Sequence, residues 1–436
     1  MKSIPIQPAA ETQVLRDGRG NTAGAPWRPR WLLVAPHRLA FFMAALMLAL
    51  SSIWWAVVLL TRAVKITQFW AVPPAAAHAL LMSMGFMPLF FAGFLFTAGP
   101  KWLGLREVAA RSLLPALSLM LAGWVAVLIG FHTHAQLASA GLALVAAGWT
   151  VLSLKFFNLL RQSHVPDRVH ASLVAVACSV GVITLWTAVL SLALGSTLML
   201  RVATQVGLWG FVATVFAVVS HRMIPFLGGS AVAFLDAWRP LWLLWVMVAM
   251  LWLEAGFSAV DLAWWPGSAA MRWGQVAVEL PFAVLMLWLA LRWGRMQNLK
   301  IRLLAMLHGG FTWLGISFAL NALSHALMAL THGELSLGLA PLHAMTMGYL
   351  GATMLATTTR VSSGHGGRPV AADNIAWSLY WILQSAVLLR VIAAIWPAAS
   401  TPFTLLAVAA WSLATVGWAV RYGRWFGRPR LDGRPG

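Results

Sequence analysis

The side chains able to do chemistry in this chain are histidines, methionines and a few acids set inside apolar runs. His78 and Met82 stand four residues apart, and so do His343 and Met347, which puts an imidazole and a thioether on one helix face each time. That donor pair suits Cu(I) or haem iron. Asn321, His325 and Met328 repeat the theme at i, i+4 and i+7. The plain alternative is packing, because apolar helices use Met freely as filler. Glu279 lies mid-span, followed by Pro281. An intramembrane carboxylate faces protein or water and is a functional candidate, with Arg390 as a candidate counter-ion. The alternative is a protonated Glu serving carbonyls released by the proline. His343 opens an apolar run that ends at Arg360, and His365 follows in a Gly-rich turn. About 17 helical steps of roughly 1.5 Å cover about 25 Å, close to the hydrocarbon thickness, so His343 and His365 are expected at opposite membrane faces.

The elements that must position these groups follow from composition. The 436 residues are 61% hydrophobic and only 9% charged, against roughly 25% charged in soluble domains. Apolar runs of about 20 residues recur, which predicts an all-α polytopic membrane bundle of about twelve helices. The spans are expected at 39–60, 75–98, 112–130, 135–157, 169–192, 202–221, 240–257, 271–291, 303–328, 341–359, 374–396 and 402–422. Lys and Arg collect in alternate loops, from Lys101 and Arg106 to Arg292 and Lys300, and in both tails. The opposite loops hold only Arg62, Lys65, Arg201 and Arg272. The positive-inside rule therefore places both termini in the cytoplasm. The organisation that follows is a disordered cytoplasmic tail over 1–38, a transmembrane domain over 39–422 and a basic cytoplasmic tail over 423–436.

On this topology the histidines form two layers. His78, His132, His134, His325, His332 and His343 lie toward the outer face. His164, His170, His221, His308 and His365 lie toward the cytoplasm, and His37 falls in the tail. Pro88, between Gly85 and Gly93, is expected to kink the second span just inward of His78. Gly348, Gly351 and Ala352 permit tight approach of a neighbouring helix or of a flat macrocycle.

Several functions are excluded or disfavoured. The formal charge of +19 sits in short loops, where it sets orientation, so nucleic acid is not an expected partner; the lipid bilayer is. The single cysteine, Cys178, lies in an apolar run and reads as a core residue; no CxxCH exists, so any haem is non-covalent. No P-loop, GxSxG or HExxH is present, which disfavours ATP-driven transport and hydrolysis.

Three blocks resemble the NnrS family. HALLMSMGFMPLFFAGFLFTAGPKWLG at 78–104 is similar to the family's His-bearing segment leading into AGFLLTA-P-x-W-x-G. SHRMIPFLGG at 220–229 is like the family's GRVIPFF, and LHAMTMGYLGATMLATTTRVSSGHGGRP at 342–369 is like LHALTVG…GTMTLA…TRVSLGHTGRP. The resemblance runs from about the first span to the last. It implies a bacterial inner-membrane protein containing haem and copper, associated with the response to nitric oxide and protection from nitrosative stress. His78, His343 and His365 occupy motif histidines, Arg222 and Pro225 match the second block, and Arg360 and Arg368 the third. One departure stands out: where family members commonly show HAHEM, this chain has Leu80 and Leu81 in place of the second His and the Glu. That puts the completeness of the outer metal site in question, with Met82 or His325 as substitutes.

On this reading His78 and His343 are haem or copper ligands near the outer face. His221 and His365 form a second site near the cytoplasm, with Arg222, Arg360 and Arg368 available to haem propionates. The ligand handled would be nitric oxide or a metal–nitrosyl species, with an unspecified electron donor. The rival readings are a secondary transporter without redox cofactor, which Glu279 and twelve spans fit, and a haem-copper oxidase-like subunit. The second rival is weakened by the lack of any adjacent His-His pair.

Overall fold

A computed structural model of the protein describes residues 26–228, 240–296 and 298–433. Among these residues every regular element is helical. In hydrocarbon each backbone N–H and C=O must be satisfied within its own segment, and a helix does that alone. In chain order the helices are α1 (Pro36–Ala63), α2 (Pro74–Met84), α3 (Met87–Trp102), α4 (Leu114–Phe131), α5 (Ala135–Gln162), α6 (Val169–Ala193), α7 (Thr197–Gly207) and α8 (Thr214–Gly228). They continue with α9 (Leu241–Ala263), α10 (Ala269–Met296), α11 (Arg302–Leu330), α12 (Ala340–His343), α13 (Ala352–His365), α14 (Asn374–Ile395) and α15 (Ser400–Phe426). A π-helical segment, Leu208–Ala213, joins α7 to α8, and a second, Ala344–Gly351, joins α12 to α13.

Eleven spans among the described residues are long and apolar enough to cross a membrane, with α2–α3 and α7–α8 each counting once. The span expected at 341–359 falls on a continuous rod from Ala340 to His365, two α-helical pieces joined by the π segment, which is not among the eleven. The expected polytopic bundle is thus the observed one. The two ends of the described bundle meet: the Arg28 N–H donates to the Gly427 carbonyl at 2.8 Å, and Arg38 Nη1 donates to the Arg428 carbonyl at 2.7 Å. Both ends of the bundle therefore lie on one face, which requires an even number of crossings.

The expected tail boundaries shift. α1 begins at Pro36, behind a 3-10 turn over Pro29–Val34, and the Trp27 ring lies 5.7 Å from Phe42. Residues 1–25 of the expected tail lie outside the described residues. At the other end α15 continues to Phe426.

Proline and glycine shape the centre of the bundle. α2 and α3 part at Gly85–Phe86, and Pro88 sits in the first turn of α3. Its missing N–H is no loss there, whereas in an unbroken helix its ring would strike the carbonyl one turn back. The anticipated kink is this break. Gly123 on α4 and Gly141 on α5 let two backbones touch, since a Cβ on Gly123 would lie 2.5 Å from the Gly141 carbonyl oxygen. The small-residue face after His343 is filled by protein, not left for a macrocycle: Gly348 faces Trp313, and Gly351 faces Trp411.

Candidate functional site

Three clusters of polar side chains are built into this scaffold. The first lies at the face poor in Lys and Arg. Pro74 starts α2, so His78 is one turn inside the bundle. Its ring stacks on Trp55 of α1, with centroids 3.9 Å apart and planes 20° from parallel. His78 Nδ1 is buried and makes no hydrogen bond. His343 closes α12, and its Nδ1–H donates to the Leu339 carbonyl at 2.8 Å. That bond fixes the tautomer and leaves a lone pair on Nε2. His343 lies within Coulombic reach of His78, and Arg390 of α14 within reach of both. Met82 and Met347 are partly buried against the core nearby in sequence. His132, by contrast, is structural: Trp54 Nε1 donates to its Nε2 at 2.9 Å, and its Nδ1 bonds the Phe69 carbonyl at 3.2 Å.

The second cluster joins α9, α10 and α11. His325 Nδ1 meets Glu279 Oε2 at 2.9 Å, and its Nε2 lies 3.5 Å from Asp261 Oδ2. Asp261 Oδ1 accepts from Arg272 Nη1 at 2.7 Å and from Gln275 Nε2 at 3.1 Å. Arg272 also donates to Gln275 Oε1 at 2.9 Å and to the Pro266 carbonyl at 2.8 Å. Asn321 Nδ2 donates to Glu254 Oε1 at 2.8 Å. Two expectations change here. Both His325 ring nitrogens face carboxylates, Glu279 and Asp261, rather than His78 or His343. Glu279 pairs with His325, while the Arg390 charge acts over a longer range on His78 and His343. Glu254 escaped the sequence reading, although a carboxylate within the α9 apolar run was the available signal. Asp261, which falls beyond the span expected at 240–257, lies in the last turn of α9.

The third cluster is at the opposite face. His221 does not pair with His365. His170 Nε2 and His221 Nδ1 are 3.0 Å apart, while the His365 ring lies 4.3 Å from that of His37. His37, assigned to the tail from sequence, is a buried residue of the first turn of α1. A cavity of about 270 Å³ opens beside them, walled by Phe41, Phe90, Phe91 and Phe216, with Arg360 and His365 at its rim. Ser220 and Met223, which flank His221 on α8, line its other side. Of the three arginines proposed for propionates, only Arg360 lines this space. Arg222 lies over Trp102 at 4.8 Å and Arg368 over Trp425 at 4.0 Å. The side chain of Pro225 lies outside the described residues. The rod from Ala340 to His365 keeps His343 and His365 at opposite ends, about 30 Å apart at roughly 1.5 Å per residue.

The model of the family described as NnrS protein matches residues 31–430. The chain belongs to the NnrS family. No curated protein matches it. Membership supports, at the level of the family, a membrane protein of the nitric oxide response. The NnrS family is metal- and haem-associated in general. Among the described residues, no group of three or more His, Cys, Asp or Glu side chains is set to hold a metal ion.

Proposed function

We propose that this NnrS protein is a bacterial inner-membrane protein, with both termini in the cytoplasm, that holds copper at His78 and His343 and handles nitric oxide or a metal–nitrosyl species there. The observation that carries the reading is the pair of imidazoles itself: a buried His78 Nδ1 without a partner, and a His343 Nε2 whose lone pair is freed by the bond to Leu339. Two nitrogens, with Met82 and Met347 each one helical turn on in sequence, are donor types suited to Cu(I). The Arg390 charge, within Coulombic reach of both rings, favours a monovalent ion, or one that brings an anionic ligand, over a bare divalent cation. Bound copper would supply a redox-active centre able to take a diatomic ligand. The chain would orient it: Trp55 holds the His78 plane and Leu339 holds the His343 tautomer.

Haem fits less well. The inner cavity offers apolar walls, an imidazole and a guanidinium, the right groups for a macrocycle with propionates. Its volume of about 270 Å³ lies below the roughly 300–1,000 Å³ of pockets for drug-sized ligands, and a tetrapyrrole is large for that class. No step is assigned to haem in this cavity.

The test is elemental analysis with optical spectra of detergent-purified full-length protein. Copper should be present in the parent, fall to background in His78→Ala and in His343→Ala, and persist in His365→Ala. Equal copper in all four sinks the outer-site reading. A colourless, metal-free parent favours the transporter reading, for which the Glu254, Glu279 and His325 cluster is the specific support.

A further inference from the structure

We infer that the α9–α10–α11 cluster is a proton-binding relay: it takes a proton from the basic-poor face at Asp261 and delivers it through His325 to a buried pair of carboxyls, Glu279 and Glu254. The cluster is independent of the copper reading, which uses none of its residues.

The geometry has a direction. Asp261 is the partly exposed member, at 18% of its side chain, while Glu279 is fully buried. Glu254 lies seven residues deeper on α9 than Asp261, about 10 Å further into the bundle at roughly 1.5 Å per residue. His325 stands between, one ring nitrogen toward each acid. At the inner end two oxygens have no hydrogen-bond partner, Glu254 Oε2 and Glu279 Oε1, and both are buried. The two glutamates act on one another electrostatically. A buried carboxylate oxygen without a donor is costly in a medium of low dielectric, and a proton on either carboxyl removes that cost.

Among the described residues, few charged and titratable groups face this cluster. α9 brings Glu254 and Asp261; α10 brings Arg272 and Glu279, with the neutral Gln275; α11 brings His325, with the neutral Asn321. α12, also packed on α11, carries His343, whose Nδ1 is bonded to Leu339. Three carboxyls face one guanidinium and one imidazole. Even with His325 protonated the cluster lacks one positive charge, and the missing charge is the proton proposed. Arg272, buried and bound to Asp261, Gln275 and the Pro266 carbonyl, keeps Asp261 facing His325.

The transfer balances. Asp261 gives its carboxyl proton to His325 Nε2, and the resulting imidazolium gives its Nδ1 proton to Glu279 Oε2. Asp261 ends as carboxylate, Glu279 as acid and His325 as the Nε2–H tautomer. A ring flip, or the same two steps in reverse, resets it.

The experiment is infrared difference spectroscopy of the full-length protein in phosphatidylcholine vesicles, exchanged from H2O to D2O. A carbonyl stretch from a protonated carboxylic acid should be present and should shift in D2O. Glu279→Gln and Glu254→Gln, which preserve shape, should each abolish or halve it. His325→Gln and Asp261→Asn should keep the band and slow its exchange at least tenfold. An absent band, a band untouched by both Gln variants, or exchange as fast in Asp261→Asn as in the parent each overturns the relay. Circular dichroism checks each variant's fold, and should one glutamine variant fail it, the other and the two exchange variants decide. Repeating the parent measurement in His343→Ala separates this result from the copper reading: the band should survive there whether or not copper binds.

Discussion

Gly348→Ala is the sharpest probe of how the outer histidine is held. A Cβ at this position would lie 2.6 Å from Trp313 Cγ and 2.7 Å from its Cδ2. Carbon atoms rest at about 3.5–4.0 Å, so a displacement of about 1 Å is required. Trp313 is not free to give it, because its Nε1–H donates to Gln384 Oε1 at 2.8 Å inside the bundle. Overpacking of this kind costs about 1–3 kcal/mol, and loss of the Trp313–Gln384 bond about 1 kcal/mol more. Replacing Gly by Ala in a helix returns about 0.5–1 kcal/mol. The net expectation is a loss of about 1–3 kcal/mol. Gly256→Ala and Gly274→Ala are the controls, since a Cβ at either meets nothing within 4 Å; both should be neutral or slightly stabilising. The assay is the apparent melting midpoint of detergent-purified protein, which should be lowest for Gly348→Ala. Trp313→Ala removes the two clashing ring atoms, so it should cost less in the Gly348→Ala background than alone. Gly348→Ala melting at or above Gly256→Ala would refute the packing argument.

Gly367 has φ +66°, and a Cβ there would lie 2.7 Å from Asp432 Cγ. Gly367→Ala should therefore destabilise by about 1–2 kcal/mol and expose residues 427–433 to limited proteolysis; an unchanged cleavage pattern would count against that docking. Trp54→Phe leaves the His132 Nε2 acceptor without its donor and should lower the melting midpoint by an amount equivalent to about 1 kcal/mol. Leu80 and Leu81 are 1% and 0% exposed, so Leu80→His with Leu81→Glu should destabilise the copper-free protein and raise the bound copper ratio. No rise in copper would mean that this part of the motif is structural. Reporter fusions after residues 134 and 335 should report the outer side, and fusions after 165, 296 and the C-terminus the cytoplasm.

Helix identity and number were legible in the sequence, because a chain in hydrocarbon has one way to satisfy its backbone and each span must be about 20 apolar residues long. The break before Pro88 was legible for the same local reason. So was the separation of His343 from His365, which needs only the rise of one helix. Which polar group meets which was not legible. His325 and Met328 share a spacing that suits a metal, yet the partners of His325 are Glu279 and Asp261, from two other helices. Glu279 looked suited to Arg390, but α14 carries that arginine toward α2 and α12 instead. His37 seemed a tail residue until the packing of α1 placed its ring beside His365. Spacing along a helix decides only which face a side chain occupies. The neighbour on that face comes from residues tens or hundreds of positions away, and only the packing of α1, α9, α10, α11, α13 and α14 against one another decides it.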